Sequence, residues 1–74
     1  MNKQRKESIS YLRMGLRNLK TELQKILDEE QTSFDNMPEN LQGSLRGSES
    51  EDAINIMENC IENLENIISE LTEI

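Results

Sequence analysis

The sequence predicts an all-α fold: an antiparallel two-helix hairpin, coiled-coil-like, with a short helical connector, dimerising into a helical bundle. Three observations predict it. Ile54, Met57, Ile61, Leu64, Ile68 and Leu71 are spaced 3, 4, 3, 4, 3, the seam of a helix that packs lengthwise on another helix. Ile9, Leu12, Leu16, Leu19, Leu23 and Ile26 repeat that spacing. Between the two runs lie Pro38, the one proline, and Gly43 and Gly47, two of the three glycines. The 74 residues make one domain, 1–74, with a first helix over 3–32, a connector over 33–47 and a second helix over 49–73.

The first helix carries Leu27 beside its seam. Glu30 and Ser33 fall where the next two core residues belong, so the seam is expected to stop there. Gly15 sits mid-helix at a cost of ~1 kcal/mol relative to alanine. In the connector, Pro38 suits the first turn of a short helix over 38–42, which Gly43 ends. Phe34, Met37, Leu41 and Leu45 are too apolar for a free linker and are expected to fold down over the end of the helix pair. Ser48 with Glu51 reads as a capping box for the second helix, and Glu49, Glu51 and Asp52 suit its positive end.

With Ile9 and Ile54 each taken as heptad position a, antiparallel pairing sets a against d. Matching Ile9 with Leu71 continues through Leu12–Ile68, Leu16–Leu64, Leu19–Ile61, Leu23–Met57 and Ile26–Ile54, all apolar. Charge agrees in direction: Lys6, Arg13 and Lys20 occupy e of the first helix, and Glu51, Glu58 and Glu65 occupy e of the second. The same register sets Arg13 opposite Glu65, Lys20 opposite Glu58 and the small Gly15 opposite Ile67. Such exposed pairs contribute only ~0.2–1 kcal/mol each and choose orientation more than they stabilise.

A second apolar row, Ala53, Cys60, Ile67 and Ile74, repeats every seven residues beside the seam of the second helix. A two-helix seam leaves core side chains half exposed, so a lone hairpin stands at the edge of stability. These four residues are therefore the expected oligomer interface of a homodimer.

Net charge is −7, and it is segregated. Residues 1–25 hold seven bases against Glu7 and Glu22, a formal +5, leaving −12 on the rest, where Arg46 is the one base. An acidic total argues against nucleic acid, whose phosphates need net positive contacts. The lone Cys60 allows no internal disulfide and fits a reducing compartment. The basic start is not followed by the apolar run of a signal peptide, and no stretch suits a membrane span, so a cytoplasmic location is expected.

No histidine is present, which removes imidazole bases, Cys–His nucleophiles and ordinary zinc or di-iron sites. Cys60 is expected as a small core residue. Gly43 and Gly47 lack the strand and lysine of a phosphate loop. No catalytic residue, metal site or cofactor is predicted, and the chain is read as no enzyme.

Two charged surfaces remain as candidates. Glu58, Glu62, Glu65 and Glu70, interleaved with asparagines, form an acidic face for a partner protein. Lys3, Arg13, Arg17 and Lys20 form a basic stripe that either pairs internally or binds an anionic small ligand such as a nucleotide, with Tyr11 and Met14 extending it on the back of the helix.

Glu29-Glu30-Gln31, then Phe34-Asp35-Asn36-Met37-Pro38-Glu39-Asn40-Leu41-Gln42-Gly43-Ser44, then Arg46-Gly47 and a Glu/Asn-rich heptad helix resemble small uncharacterised proteins of bacteriophages, prophages and Gram-positive bacteria. The resemblance covers about Asp28 to the C-terminus, and its specific part is the connector. It implies a mobile-element origin, a helical hairpin and a bacterial host protein as partner, and it transfers no activity. Three functions follow as expectations: an interaction protein that binds and inhibits a host defence protein through its acidic surface, an oligomer that sequesters an anionic ligand, and a structural spacer.

Overall fold

A computed structural model describes residues 1–74 as three helices: α1 (Lys3–Asp35), α2 (Glu39–Gln42) and α3 (Leu45–Thr72). They form an extended hairpin of 58 × 15 × 13 Å. Asn2 caps α1, its side chain accepting from the Arg5 N–H at 2.8 Å. The helix then runs three residues beyond the expected end at 32. Phe34 explains the extension, because it packs against the core of Leu27, Ile54 and Ile61 and the chain must stay helical to place it there. The end is closed from outside: Gln42 Nε2 donates to the Phe34 carbonyl at 3.1 Å, and Pro38 then bars continuation.

α2 is a single turn whose amides at Leu41 and Gln42 donate to the Pro38 carbonyl at 2.9 and 3.0 Å. α3 begins at Leu45, four residues before the expected start at 49. Ser44, not Ser48, is its cap, accepting from the Gly47 N–H at 3.4 Å, so the capping box of Ser48 and Glu51 is not formed. Gly47 is therefore no stop signal but a buried residue of the first turn of α3. A Cβ there would lie 2.6 Å from the Leu41 carbonyl oxygen and closer still to that of Gln42. Only glycine lets α3 start this close to α2.

The helices run antiparallel, as three cross-links fix: Glu30 with Ser50, Lys20 with Glu65 and Arg13 with Leu71. α3 presents the seam its spacing predicts. Ile54, Ile61 and Ile68 are buried, and Met57, Leu64 and Leu71 are half-buried.

α1 presents a different face from the expected one. Its covered row is Ile9, Arg13, Leu16, Lys20, Leu23, Leu27, Glu30 and Phe34, positions a and e. Leu12, Leu19 and Ile26, expected in the core at d, are 62%, 62% and 54% exposed. At 100° per residue this is a turn of ~50° about the helix axis. The cause lies in the breadth of the apolar surface: rows d, a and e are all apolar in part, and one partner helix covers two rows. Leu27 and Phe34 at e extend the core to the connector end, whereas d offers Ser33 there. The aliphatic stems of Arg13 and Lys20 complete the e row, with their heads at the edge.

The three expected layers that need Leu12, Leu19 and Ile26 are accordingly not realised, and neither is the charge register. Lys20 Nζ meets Glu65 at 3.4 Å, one heptad beyond Glu58. Arg13 overruns Glu65 and donates from Nη1 to the Leu71 carbonyl at 3.5 Å. No side chain faces Gly15, whose Cβ position has nothing within 4 Å. Only Phe34 and Met37 of the connector fold down, while Leu41 and Leu45 are exposed. Cys60 is exposed rather than core, because it lies at g, outside the a/d seam of α3.

Candidate interaction surfaces

The hairpin has two unlike sides, and the turn of α1 creates them. On one side the e positions of both helices meet, as the Lys20–Glu65 contact shows. By the geometry of the heptad, the opposite side must carry d of α1 and g of α3. These rows are Leu12, Leu19 and Ile26 on α1 and Ala53, Cys60, Ile67 and Ile74 on α3. The Lys20–Glu65 level also sets their relative height. By that level Leu12 stands nearest Ile74, Leu19 nearest Ile67 and Ile26 nearest Cys60, each to within a helical turn, ~5.4 Å of rise.

Three apolar tiers therefore cross both helices on one face. Ile67 and Ile74 are 43% and 50% exposed, Cys60 is exposed and Ala53 is half-buried. Between the helices the face is hollowed by about 570 Å³, lined by Tyr11, Leu12, Gly15, Leu16, Asn18, Leu19, Glu22 and Leu71. Gly15 contributes by absence of a side chain, which opens the floor. The expected oligomer row of α3 is thus half of a wider face. Reading α1 as an a/d seam concealed the other half. The signal for it was Leu27 with Phe34, seven residues apart at e.

The ionic side is more committed than the basic stripe suggested. Lys20 is held by Glu65. Arg13 spends its Nη groups on the Leu71 carbonyl and on Ser10 Oγ, both at 3.5 Å, and its buried Nε has no partner. Arg17 is exposed and lines a second hollow of about 470 Å³ with Lys20, Thr21, Glu65, Ile68 and Ser69. Lys3 lies ten residues before Arg13, ~15 Å along the helix. The structure therefore brings Arg13, Arg17 and Lys20 to one edge and leaves Lys3 apart.

Of the acidic candidates, Glu65 alone is paired, with Lys20. Glu58, Glu62 and Glu70 are exposed and enter no ion pair; the two salt bridges in the chain are Lys20–Glu65 and Glu22–Lys25. Their charge is free to face a partner. Sequence reasoning missed the polar rung of Glu30 and Ser50 altogether. Ser50 is 6% exposed and donates to Glu30 Oε1 at 2.6 Å. No helix is long and apolar enough to cross a membrane. Searches of protein-family models, curated proteins and solved structures find no match to this chain.

Proposed function

We propose that this chain is a non-enzymatic interaction protein, a stiff helical hairpin that assembles through its apolar face and holds a second protein on its acidic ridge. The observation that carries this reading is the sidedness of the hairpin. One face offers tiers of uncovered leucine and isoleucine, and the ridge of α3 offers carboxylates without counter-ions. Apolar tiers favour tight association by burial, while unpaired surface carboxylates steer and select a basic partner.

The phage-like connector supports a bacterial host protein as that partner, in the cytoplasm, with inhibition of a host defence component as the purpose. The competing reading, capture of an anionic ligand at the basic edge, draws on Arg17 alone as a free cation beside the hollow it lines with Lys20 and Thr21.

The test is charge reversal with capture from bacterial lysate. Glu58→Lys with Glu62→Lys and Glu70→Lys is expected to lose the captured protein, while Arg17→Glu keeps it. The reverse outcome assigns the site to the basic edge and an anion to the ligand.

A further inference from the structure

We propose that the apolar face of Leu12, Leu19, Ile26, Ile67 and Ile74 is covered by a second copy of the same chain, related by a two-fold axis through the Leu19/Ile67 tier and running in the opposite direction. This rests on the reading above, that the face is an assembly surface, and it names the occupant and its orientation.

Area comes first. The chain exposes 5699 Å², whereas a compact monomer of 8.6 kDa exposes about 4,700 Å². The excess of about 1,000 Å² is close to the ~800 Å² that each partner buries in a stable interface. The three tiers cover two heptads, ~21 Å of helix rise, on a hairpin 58 Å long and 15 Å wide, so an interface of that size would extend past them along both helices. Six of 74 residues are buried and none of the large side chains falls below 2% exposure, so the isolated hairpin lacks a finished core.

Symmetry selects a second copy over another protein. Leu12, Leu19 and Ile26 cover the same two heptads' length as Ile74, Ile67 and Cys60 beside them. The middle tier is therefore a natural two-fold centre, and rotation about it sets apolar tiers on apolar tiers with heptad spacing matched throughout. A foreign partner would have to bring both rows at that spacing.

Charge then fixes direction. The connector end is acidic, with Asp28, Glu29, Asp35 and Glu39 and only Arg46 as a base, whereas the open end is balanced, Lys3, Arg5 and Lys6 against Glu7, Glu70 and Glu73. A parallel pair would stack the two acidic ends, while the opposed pair sets each against the other's balanced end. The face itself is close to neutral. Glu22 is the one charged residue lining its hollow, and Lys25 lies 3.3 Å from it.

Sedimentation equilibrium of the full chain, with circular dichroism on the same samples, reads the assembly. The expected mass is about 17 kDa, twice the 8.6 kDa chain, and Leu19→Gln is expected to weaken association at least tenfold. Where Leu19→Gln fails to fold, wild-type protein gives a second readout: maleimide labelling of Cys60 should slow at high concentration and recover on dilution.

Orientation is read by mild oxidation of Leu12→Cys. Within one chain this position lies ~20 Å of helix rise from Cys60, so a disulfide joining the introduced cysteine to Cys60, identified by peptide mass mapping of the covalent dimer, forms only across an opposed pair. A helical single-chain mass at 100 µM, or a dimer whose Cys60 labels at a concentration-independent rate, overturns the proposal. A covalent dimer of Leu12→Cys joined only like to like, with no link from the introduced cysteine to Cys60, overturns the opposed orientation. Monomer with the acidic ridge still binding its partner refutes the second copy alone. Dimer with a ridge indifferent to charge reversal refutes the ridge instead.

Discussion

Ser50 Oγ donates to the Glu30 carboxylate at 2.6 Å, closing the hairpin with a polar rung between the apolar seam and the connector. Ser50 is buried and Glu30 half-buried, so the pair is shielded from water and each group depends on the other. Ser50→Ala leaves a partly buried carboxylate without its donor, a loss of ~1–3 kcal/mol. Replacing both, as Ser50→Ala with Glu30→Leu, removes the unsatisfied group and should restore most of that stability. Urea midpoints for the wild type and the two variants decide it. A double variant no more stable than Ser50→Ala would mean that the rung does not carry the closure.

The register rests on Lys20 and Glu65, 3.4 Å apart with side chains 33% and 54% exposed. A double-mutant cycle on Lys20 and Glu65 at low salt should give ~0.2–1 kcal/mol of coupling, falling as salt is added. The same cycle on Lys20 and Glu58 should give none. Coupling to Glu58 with none to Glu65 would shift α3 by a heptad and rearrange the apolar tiers with it.

Those two contacts show how far the sequence could be read. The seam of α3 was fully legible, because its a and d rows stand out from the Glu and Asn on its exposed faces. Antiparallel direction was legible too, since bases at e of α1 and acids at e of α3 can meet in no other way. The rotation of α1 was not, because periodicity favours row d, with Leu12, Leu19 and Ile26, over row e, where Arg13 and Lys20 precede Leu27 and Phe34. Leu27 and Phe34 decided it through packing against Ile54 and Ile61, a tertiary effect. For the same reason the α3 half of the apolar face was foreseen and the α1 half was not. The start of α3 was misplaced because glycine usually marks an end, whereas Gly47 is required by close approach to α2.

Gln42 adds a side-chain clasp to the end of α1: its amide donates to the Phe34 carbonyl at 3.1 Å from across the connector, beside the Met37 N–H that donates to the same oxygen at 3.0 Å. Helix ends leave carbonyls without intrahelical partners, and α1 has no basic residue in its last turn to help. Gln42→Leu should therefore fray the last turn of α1 and free Phe34 from the core. Amide hydrogen exchange is expected to speed up at Asp35 to Met37, with residues 9–23 unchanged. Uniform acceleration along the whole chain would instead make Gln42 a determinant of global stability.

Two glycines in helices should respond oppositely to alanine. At Gly15 a new Cβ meets nothing within 4 Å, so Gly15→Ala gains helix propensity, up to ~1 kcal/mol, measured by thermal melting at dilutions where chains are not associated. At Gly47 a Cβ would press on the carbonyls of Leu41 and Gln42, and backbone cannot rotate away as a side chain would. The same propensity gain is then outweighed, and Gly47→Ala should cost ~2 kcal/mol or more, in the range of overpacking. Relief would come from moving α2 off α3, so the loss should appear with added exposure of the connector, seen as faster proteolysis between Asn36 and Ser44. A Gly47→Ala chain as stable as the wild type would show that α2 is not held against the first turn of α3.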